Sequence, residues 1–433
     1  MRIVVDLQGA QTESRYRGIG RYSLSLTKEI ARRGHARGHQ VWVIGNNSLP
    51  VSAQDLHDAL DGAVPLHDIK MFSPVTTASW DKAENAWRRA ASELVRETFI
   101  RQLQPDVVVI SSLFEGGSDN AVTSVDRLGA ASIPTCVVLY DLIPMSAPEK
   151  YLGTGWPHGW YHEKIAHLQR ARLLLSISQH SKDEAHEMLG VVPERIVNMS
   201  SACDAIFRPV SMSAQEAAAL RVRHGLQGDF LLCTGAMDER KNITRLVHAY
   251  AALPSSLVDT YQLALAGKWN AAEEDAIGKL AMSLRVGNRV VVLRHVSDPE
   301  LVQLLNQATL FVFPSLQEGF GLPPLEAMAC GTATISSHAT SLREVVGYDE
   351  AMFDPNDTAE MTALMQRALT DKSFRTTLEQ YAGERAALFS WARTADIALD
   401  SLEQFTAKQP AASSSPWAEV AASRQDDLRT LLA

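Results

Sequence analysis

The segment of the sequence with the clearest chemical potential is a loop that carries Glu318. Residues 311–331, FVFPSLQEGFGLPPLEAMACG, read as a buried strand, this loop, and a helix that begins near Pro323 or Pro324. Proline suits a first helical turn because its missing N–H is not needed there. Glycines let the loop backbone approach a ligand, and N–H groups at a helix start point towards an anion. The segment is therefore typical of a pocket for a charged ligand.

Two carboxylates belong to this segment. Glu318 lies on the loop and Glu326 is expected in the first turn of the helix, so both can face one pocket. Carboxylates in such a pocket accept hydrogen bonds from sugar hydroxyls. The alternative for Glu326 is that it stabilises the N-terminus of its own helix through the helix dipole.

A pair of basic residues follows an earlier strand. Within residues 230–242, the strand delivers Gly235 to its carboxyl end, and Arg240 and Lys241 come just before a helix. A nucleoside diphosphate needs compensating cations, and this pair supplies a planar fork and a point charge. Taken alone, two such residues usually form a solvated helix face. Their position at a strand end that matches the Glu318 loop favours an anion site.

The N-terminal half contributes two further strand ends. After the first strand, Gly18 and Gly20 precede a helix expected to begin near Arg21, without the G-x-G-x-x-G spacing of dinucleotide-binding proteins. They indicate a close backbone approach, either to a phosphate or to a facing helix. After the strand at 136–140, Asp141 is either a functional carboxylate or a helix cap.

These positions depend on the elements that carry them. Short runs of Val, Ile and Leu alternate with longer helical patterns, which is typical of parallel α/β sheets. The expected strands are residues 3–7, 41–44, 107–111, 136–140, 173–177 and 196–199, then 230–234, 262–266, 289–293, 310–314 and 332–336. The expected helices are residues 22–33, 87–102, 160–171, 242–252, 273–284, 299–307 and 324–328. A polar, Ala-rich stretch at 209–220 reads as a connector. Ligands of such sheets bind beyond the carboxyl ends of the strands, where most of the motifs fall.

Composition narrows the class of protein. A chain of 433 residues, 46% hydrophobic and 21% charged, predicts a globular protein of two domains. Its net charge of −9 disfavours nucleic acid as a partner. The thirteen histidines accompany no carboxylate cluster typical of a metal site, so none is predicted, and His295 is expected to line the cleft between the domains.

The cysteines and the N-terminus bear on the compartment. Four scattered cysteines suit a reducing compartment, and Cys136 and Cys233 are expected in the core. The N-terminus reads as a strand rather than a signal peptide, and no apolar run reaches the roughly 20 residues that span a bilayer. We expect a cytoplasmic protein, either soluble or peripheral at the inner face of the membrane.

Residues 85–102 have two interpretations. Four arginines lie among Trp87, Phe99 and other apolar side chains, as in a basic amphipathic helix on anionic lipid. Glu93 and Glu97 on the same helix favour a core-packing helix with a solvated basic face.

Together these motifs resemble the retaining GT-B glycosyltransferases of family 4. The resemblance rests on Glu318-Gly319-Phe320-Gly321-Leu322-Pro323 followed by Glu326-Ala327-Met328, preceded by Gly235 and Arg240-Lys241-Asn242, and it runs from RGIGRY at residues 17–22 to about residue 404. It implies two facing Rossmann-like, doubly wound parallel-sheet domains with a cleft between them. The N-terminal, acceptor-side domain would be residues 1–208, joined by a C-terminal helix at about 393–406. The donor-binding domain would be residues 209–392, and residues 407–433 a tail or linker towards a further module or partner protein.

The resemblance also implies roles for single residues. Arg240 and Lys241 would hold the donor pyrophosphate, Glu318 would contact the transferred sugar, and Glu326 the ribose. Backbone N–H groups of Phe320, Gly321 and Leu322 would cradle the phosphates. Gly18 and Gly20 would close from the other lobe, and backbone near Val296 would meet the base.

Two positions depart from the family pattern. Many relatives carry His where Tyr140 stands, which makes Asp141 the better candidate beside the acceptor hydroxyl. Ala236 replaces a phosphate-binding Arg of some relatives, so Arg240 and Lys241 would carry more of that load.

The subgroup that these motifs resemble builds bacterial O-antigens and related polysaccharides. The implied function is transfer of a hexose, with retention and without a further cofactor, from a nucleotide sugar to a glycan or lipid-linked glycan acceptor. A GDP-sugar such as GDP-mannose is favoured as donor. The alternatives are a non-catalytic nucleotide-sugar-binding or scaffolding domain and a GT-B nucleotide-sugar epimerase.

Overall fold

Two parallel β-sheets, each with its own set of helices, form two separate units of the chain. The structure, a computed structural model, describes residues 1–16, 18–129, 133–235, 237–294 and 296–408. Met1–Ser201 and the helix from Trp391 form the first unit, and Ala202–Ser390 form the second. Arg17, Ala236, His295 and the tail from residue 409 lie outside the described residues.

The first unit contains a seven-stranded sheet with the strand order β3-β2-β1-β4-β5-β6-β7. Its strands are β1 (Arg2–Asp6), β2 (Gln40–Asn46), β3 (Ile69–Phe72), β4 (Val107–Ile110), β5 (Thr135–Leu139), β6 (Leu173–Ser176) and β7 (Ile196–Asn198). Its first helices are α1 (Gly18–Ala36), α2 (Ala53–Ala59), α3 (Ala86–Gln102), α4 (Ile143–Ser146), α5 (Pro148–Tyr151), α6 (Trp156–Arg170) and α7 (Gln179–Leu189). The central strands are continuous apolar runs because helices cover both faces of a parallel sheet.

The second unit contains a six-stranded sheet with the strand order β10-β9-β8-β11-β12-β13. Its strands are β8 (Asp229–Thr234), β9 (Tyr261–Ala266), β10 (Val290–Leu293), β11 (Leu310–Phe313), β12 (Thr334–Ser337) and β13 (Met352–Phe353). Its helices are α8 (Ala214–Arg223), α9 (Ile243–Ala251), α10 (Ser255–Thr260), α11 (Ala271–Ser283), α12 (Asp298–Gln307), α13 (Leu322–Ala329), α14 (Leu342–Val346), α15 (Thr358–Thr370) and α16 (Lys372–Ala386). The expected pair of doubly wound parallel sheets is confirmed.

The last helix, α17 (Trp391–Ala407), packs against α1 of the first unit. Arg33 donates from Nε to Asp396 at 2.6 Å, and Arg37 donates to Asp396 and Asp400 at 2.6 Å each. These ion pairs join the two ends of the first unit, although more than 350 residues of chain separate them.

The stretch read as a connector contains a helix, which corrects the sequence interpretation. The hydroxyl of Ser213 accepts from the backbone N–H of Glu216, and the carboxylate of Glu216 accepts from the N–H of Ser213. This capping box starts α8, and its alanines have the highest helix propensity. Two other helices begin earlier than predicted. Helix α1 begins at Gly18 rather than near Arg21, and α13 begins at Leu322 rather than near Pro323 or Pro324.

Helix α3 contains buried charges in its middle turns. Arg96 is 1% exposed and donates from Nε to Asp6 of β1 at 2.7 Å. Glu93 and Glu97 on the same helix are also buried. The interpretation of α3 as a lipid-facing basic helix is therefore wrong for Arg96, because its guanidinium faces the interior of the unit. None of the helices in the described residues is both long and apolar enough to cross a membrane.

Candidate functional site

The second sheet changes direction between β8 and β11, and the predicted anion-binding residues lie at that point. β8 and β11 are hydrogen-bonded neighbours, whereas the chain runs from β8 outwards through β9 and β10 before it returns to β11. The loops that leave the two strands therefore separate and open a crevice at their carboxyl ends. Arg240 and Lys241 follow β8, and Glu318 follows β11.

Arg240, Lys241 and Glu318 form one ion cluster. Nη1 of Arg240 donates to Oε2 of Glu318 at 3.0 Å, and Nζ of Lys241 donates to Oε1 of the same carboxylate at 2.6 Å. All three side chains are largely buried, at 10–21% exposure. Oδ2 of Asp238 also lies 3.5 Å from Nε of Arg240, so two carboxylates balance the two cations, and an anionic ligand would compete with those carboxylates for them.

Three side-chain hydroxyl groups hold Glu318 in position. Ser315 donates from Oγ to Oε1 of Glu318 at 2.6 Å. Thr340 accepts from the backbone N–H of Glu318 at 3.0 Å, and Ser341 donates to its carbonyl at 2.8 Å. The loop after β12 thus fixes the loop after β11, so Glu318 is presented on a rigid turn.

The turn after β8 fixes the two basic residues. The carboxylate of Asp238 accepts from the N–H of Arg240 at 3.0 Å. Asn242 has φ +58° and donates from its side chain to the carbonyls of Pro314 and Pro355 at 3.1 and 2.8 Å. Its amide therefore ties the β8 turn to the segment after β11.

Gly235 makes a backbone contact that the sequence did not reveal. Its N–H donates to the carbonyl of Ala266 at 2.9 Å. A Cβ atom on Gly267, the next residue after β9, would lie 1.9 Å from the carbonyl oxygen of Gly235. Only glycine fits at position 267, because the loops after β8 and β9 touch through their main chains.

The start of helix α13 supplies backbone donors beside the ion cluster. Gly321 precedes the helix with φ +118°, and its Cβ position would lie 2.7 Å from Leu342. Phe320 is buried edge-on against Phe389. Pro323 follows Leu322, so the N–H groups near the helix start belong to the residues named from the sequence, from Gly319 to Leu322.

Glu326 lies deeper in the helix than expected. Because α13 begins at Leu322, Glu326 is the fifth residue of the helix rather than part of its first turn. The alternative that Glu326 stabilises the helix N-terminus is therefore weakened, since such effects fade within the first turn. Glu326 is buried, and its charge adds to the burial that raises the pKa of Cys203 and of Cys330 to about 12.

The residue predicted near the base lies at the outer part of the sheet. Val296 follows β10 and immediately precedes Ser297, which caps helix α12. Its side chain is half-buried against the core of the second unit.

In the first unit, Gly20 has a packing role. A Cβ atom on Gly20 would lie 2.3 Å from Cα of Arg15 and 2.4 Å from the carbonyl oxygen of Ser14. The backbone that comes close is thus the turn before α1, which was not one of the two partners considered from the sequence. Gly18 is the first residue of α1.

Tyr140 and Asp141 have different environments at the end of β5. The hydroxyl of Tyr140 is near Ser23 Oγ at 3.1 Å and donates to the carbonyl of Ser111 at 3.0 Å, and burial raises its pKa. Asp141 is half-buried and accepts from the N–H of Ile143 at 3.2 Å. This hydrogen bond to the first residue of α4 supports the alternative that Asp141 is a helix cap.

Sequence reasoning missed a second polar group at the direction change of the first sheet, between β1 and β4. A Cβ atom on Gly9 would lie 2.7 Å from Cβ of Ser112. Glu115 accepts from Thr12 at 2.9 Å and from Ser112 at 2.7 Å, and burial raises its pKa. The available signal was Gly9, three residues after the first strand.

One trio, with two of its three residues buried, has the composition of a metal site. It consists of Glu93, Glu163 and His167. Nδ1 of His167 accepts from the N–H of Val125 at 3.0 Å and faces a guanidinium nitrogen of Arg170 at 2.6 Å. Nδ1 also lies 3.2 Å from the carbonyl oxygen of Val125, so backbone and Arg170 contacts occupy Nδ1, and Nε2 is the ring nitrogen that faces Glu93, at 3.8 Å.

Two sequence families match the chain one after the other. The family described as Glycosyltransferase Family 4 matches residues 16–201, and Glycosyl transferases group 1 matches residues 215–385. The chain is 37% identical over 404 residues to the serotype-specific mannosyltransferase WbdA of Escherichia coli. The aligned region covers 92% of this chain and 48% of that protein. It is 35% identical to the O-antigen chain mannosyltransferase B of Escherichia coli, over 53% of this chain and 61% of that protein. The chain spans about half the length of the curated relatives it matches.

Solved glycosyltransferase structures share the fold. Sucrose-phosphate synthase from Thermosynechococcus elongatus has a TM-score of 0.67 at 19% identity, and covers 94% of this chain and 100% of that one. WaaG, a glycosyltransferase involved in lipopolysaccharide biosynthesis, has a TM-score of 0.62 at 17% identity, with 93% and 99% covered. With both family matches in order and the GT-B fold shared, this chain belongs to the family 4 (group 1) glycosyltransferases.

Proposed function

We propose that this chain transfers a hexose from a nucleotide-sugar donor to a glycan or lipid-linked glycan acceptor in bacterial O-antigen or related polysaccharide synthesis. The second unit would bind the donor, and the first would bind the acceptor. The observation that carries the proposal is the cluster of Arg240, Lys241 and Glu318 at the direction change of the second sheet.

The cluster suits a diphosphate because its cations are held in place before the ligand arrives. An ammonium carries several N–H donors, and the bond to Glu318 uses one of those of Lys241. The pyrophosphate would compete with Glu318 for both cations. Glu318 would then be released to accept hydrogen bonds from hydroxyls of the transferred sugar.

Backbone donors at the start of α13 would complete the phosphate site. N–H groups of Gly319, Phe320, Gly321 and Leu322 precede or open the helix, where the helix dipole favours an anion. Gly235 would let the diphosphate approach the β8 turn closely. Glu326 would contact the ribose and the backbone near Val296 the base.

The costly part of the reaction is charge on the departing diphosphate. The bond from the anomeric carbon to the phosphate oxygen breaks, and the acceptor oxygen forms its bond on the same face, with retention. The acceptor proton passes to the departing phosphate oxygen. Preorganised cations and N–H groups stabilise the negative charge of this leaving group without reorganisation during the reaction.

On the acceptor side, the carboxylate of Asp141 would orient the acceptor hydroxyl for attack. Its neighbour Tyr140 has its hydroxyl bonded inside the first unit and is not assigned a role. Gly18 and Gly20 belong to the same unit, where they form the start of α1.

A GDP-sugar, with GDP-mannose first, is the proposed donor. The support is similarity alone: two relatives of this chain are named mannosyltransferases.

The experiment is thermal unfolding in the presence of GDP, UDP, dTDP or ADP. At a ligand concentration a hundred times Kd, binding to the folded state raises the free energy of unfolding by roughly 2.7 kcal/mol. The nucleotide that binds should therefore raise Tm clearly. Lys241→Ala should remove the shift. Lys279→Ala is the matched control, because Lys279 is exposed on α11 and pairs only with its own helix neighbour Asp275 in the contacts described.

Transfer itself separates the proposal from its alternatives. The nucleotide that raises Tm identifies the donor class, and that nucleotide sugar is then incubated with a mannose-containing acceptor. A glycoside product with retained configuration supports the proposal. Nucleotide binding with only an epimerised sugar as product, or with no turnover on any acceptor, would replace it by one of the alternatives.

A further inference from the structure

Three tryptophans form a partly exposed aromatic surface on the first unit. Trp80 follows β3, and Trp156 and Trp160 lie on the first two turns of α6. Trp156 is 39% exposed, and its ring lies 6.3 Å from that of Trp160 at 65°. The two indoles therefore form a corner rather than a flat platform.

Glycines make room for these rings, so the surface is built into the fold. A Cβ atom on Gly117 would lie 3.1 Å from the indole of Trp156, and one on Gly159 would lie 2.8 Å from that of Trp80. Nε1 of Trp160 donates to the carbonyl of Glu115 at 3.3 Å. The rings are thus fixed against the loop that leaves β4.

Polar atoms border the rings. Nε1 of Trp80 donates to Glu163 at 3.3 Å, and the guanidinium of Arg89 stacks on the Trp80 ring at 4.6 Å. In the described part of the chain, Oδ1 of Asp81 and Nη1 of Arg89 have no hydrogen-bond partner although both atoms are buried. Those two atoms are covered by the protein, whereas the side chains of Glu163 and Arg89 are half-buried and offer an acceptor and donors that sugar hydroxyls can bond.

The surface lies on the side of the sheet where Asp141 stands. The loop after β4 and the helix after β5 both leave the carboxyl edge of the sheet. Tyr161 follows Trp160 in α6, and the charge of Asp141 contributes to raising the pKa of its hydroxyl. Helix α6, which carries Trp156 and Trp160, and Asp141 therefore belong to the same edge of the sheet.

We propose that Trp80, Trp156 and Trp160 bind the pyranose rings of a neutral oligosaccharide, behind the residue that accepts the transferred sugar. The proposal rests on the proposed function for its biological meaning. The C–H bonds of a pyranose carry partial positive charge and stack on the negative face of an indole. Glu163 and Arg89 border the rings together, and this balanced pair of charges suits a neutral ligand better than an anionic lipid headgroup.

The test measures glycan binding directly, without donor. Isothermal titration of the full chain with α-mannotetraose and with maltotetraose should show binding of at least one of them. Trp156→Ala should weaken it about tenfold or more, and Trp156→Phe should restore part of it, since stacking on a sugar needs an aromatic face. The matched control is Trp87→Ala, because Trp87 is a 49% exposed indole of the same unit whose ring stacks on Arg88.

The failures of the two proposals are distinguishable. Lys241→Ala should lose the nucleotide-induced shift in Tm and keep glycan binding, whereas Trp156→Ala should show the reverse. Glycan binding that depends on Trp156, without a nucleotide effect, would leave the surface standing and overturn the donor site. Absence of binding to both tetrasaccharides, or equal binding by Trp156→Ala, would overturn the surface. Loss of co-sedimentation with phosphatidylglycerol vesicles in Trp156→Ala, with glycan binding unchanged, would also overturn it.

Discussion

Lys241 donates a 2.6 Å hydrogen bond from Nζ to Oε1 of Glu318, a residue 77 positions further along the chain. Glu318 also accepts from Arg240, so a single carboxylate holds both cations of the proposed phosphate site. This relationship makes Glu318 a competitor of the diphosphate as well as its proposed neighbour.

Replacing Glu318 by glutamine should therefore tighten the binding of free nucleoside diphosphate. Removing one negative charge next to two partly buried cations should make the free energy of nucleotide binding more favourable by about 1 kcal/mol or more, which lowers Kd about fivefold. The same variant should unfold at a lower temperature without ligand and should lose sugar transfer. Calorimetric titration with the stabilising nucleotide checks the affinity. Glu350→Gln, an exposed carboxylate of the same unit, is the control, and weaker nucleotide binding by Glu318→Gln would contradict the competition.

Substitution of Tyr140 should lower stability, whereas substitution of Asp141 should lower turnover. Tyr140→Phe removes the hydroxyl that contacts Ser23 and Ser111, so the free energy of unfolding should fall by about 1 kcal/mol while turnover stays within about twofold. Asp141→Asn should leave stability nearly unchanged and lower turnover by about a hundredfold, as expected for a lost acceptor-orienting carboxylate. Initial rates and denaturant unfolding measure the two effects. Full turnover in Asp141→Asn would leave Asp141 as a helix cap.

Glu93 should make the stability of the first unit depend on pH. Burial raises its pKa from 4.5 to about 7, against the charges of Arg127 and Lys164, which lower it. The folded state thus holds this proton between pH 4.5 and about 7, where the unfolded state has lost it. The stabilisation from this proton is complete below pH 4.5 and is lost as the pH rises to about 7, by on the order of 3 kcal/mol.

Glu93→Gln should abolish that part of the pH dependence. Denaturant unfolding of the variant and of the parent chain, followed between pH 4.5 and 8, gives the difference. The two curves should diverge as the pH rises, with the variant more stable near pH 7.5. Parallel curves would show that the Glu93 carboxyl titrates alike in the folded and unfolded chains.

Alanine substitutions at two glycines of the second unit should have opposite effects on the protein. Gly267→Ala places Cβ 1.9 Å from the carbonyl oxygen of Gly235, so the loops after β8 and β9 must separate and nucleotide binding should be lost. Gly278 lies inside α11 with no atom within 4 Å of its Cβ position among the described residues. Gly278→Ala should therefore raise the free energy of unfolding by up to about 1 kcal/mol and keep nucleotide binding. Thermal unfolding with and without nucleotide measures both, and an intact nucleotide shift in Gly267→Ala would refute the role of this contact.

The sequence by itself determined the class of fold and the positions of most strands. The run at 310–314 predicted β11, observed as Leu310–Phe313, and Cys136 and Cys233 lie in the core as expected. Such features are local, because apolar runs and their spacing follow from the pitch of a strand or helix. Elements at the sheet edges and helices with a weak apolar pattern escaped this reading: strands β3 and β13, and helices α7, α8, α15 and α16.

Only the tertiary structure decided which side chains meet. The sequence named Arg240, Lys241 and Glu318, but their ion cluster exists because β8 and β11 are neighbours in the sheet. Gly267 must be glycine because the loop after β8 crosses it, and the tryptophans meet because the loop after β4 contains Gly117. Sequence patterns record what each segment buries. Contacts between distant segments depend on strand order, which no local pattern contains.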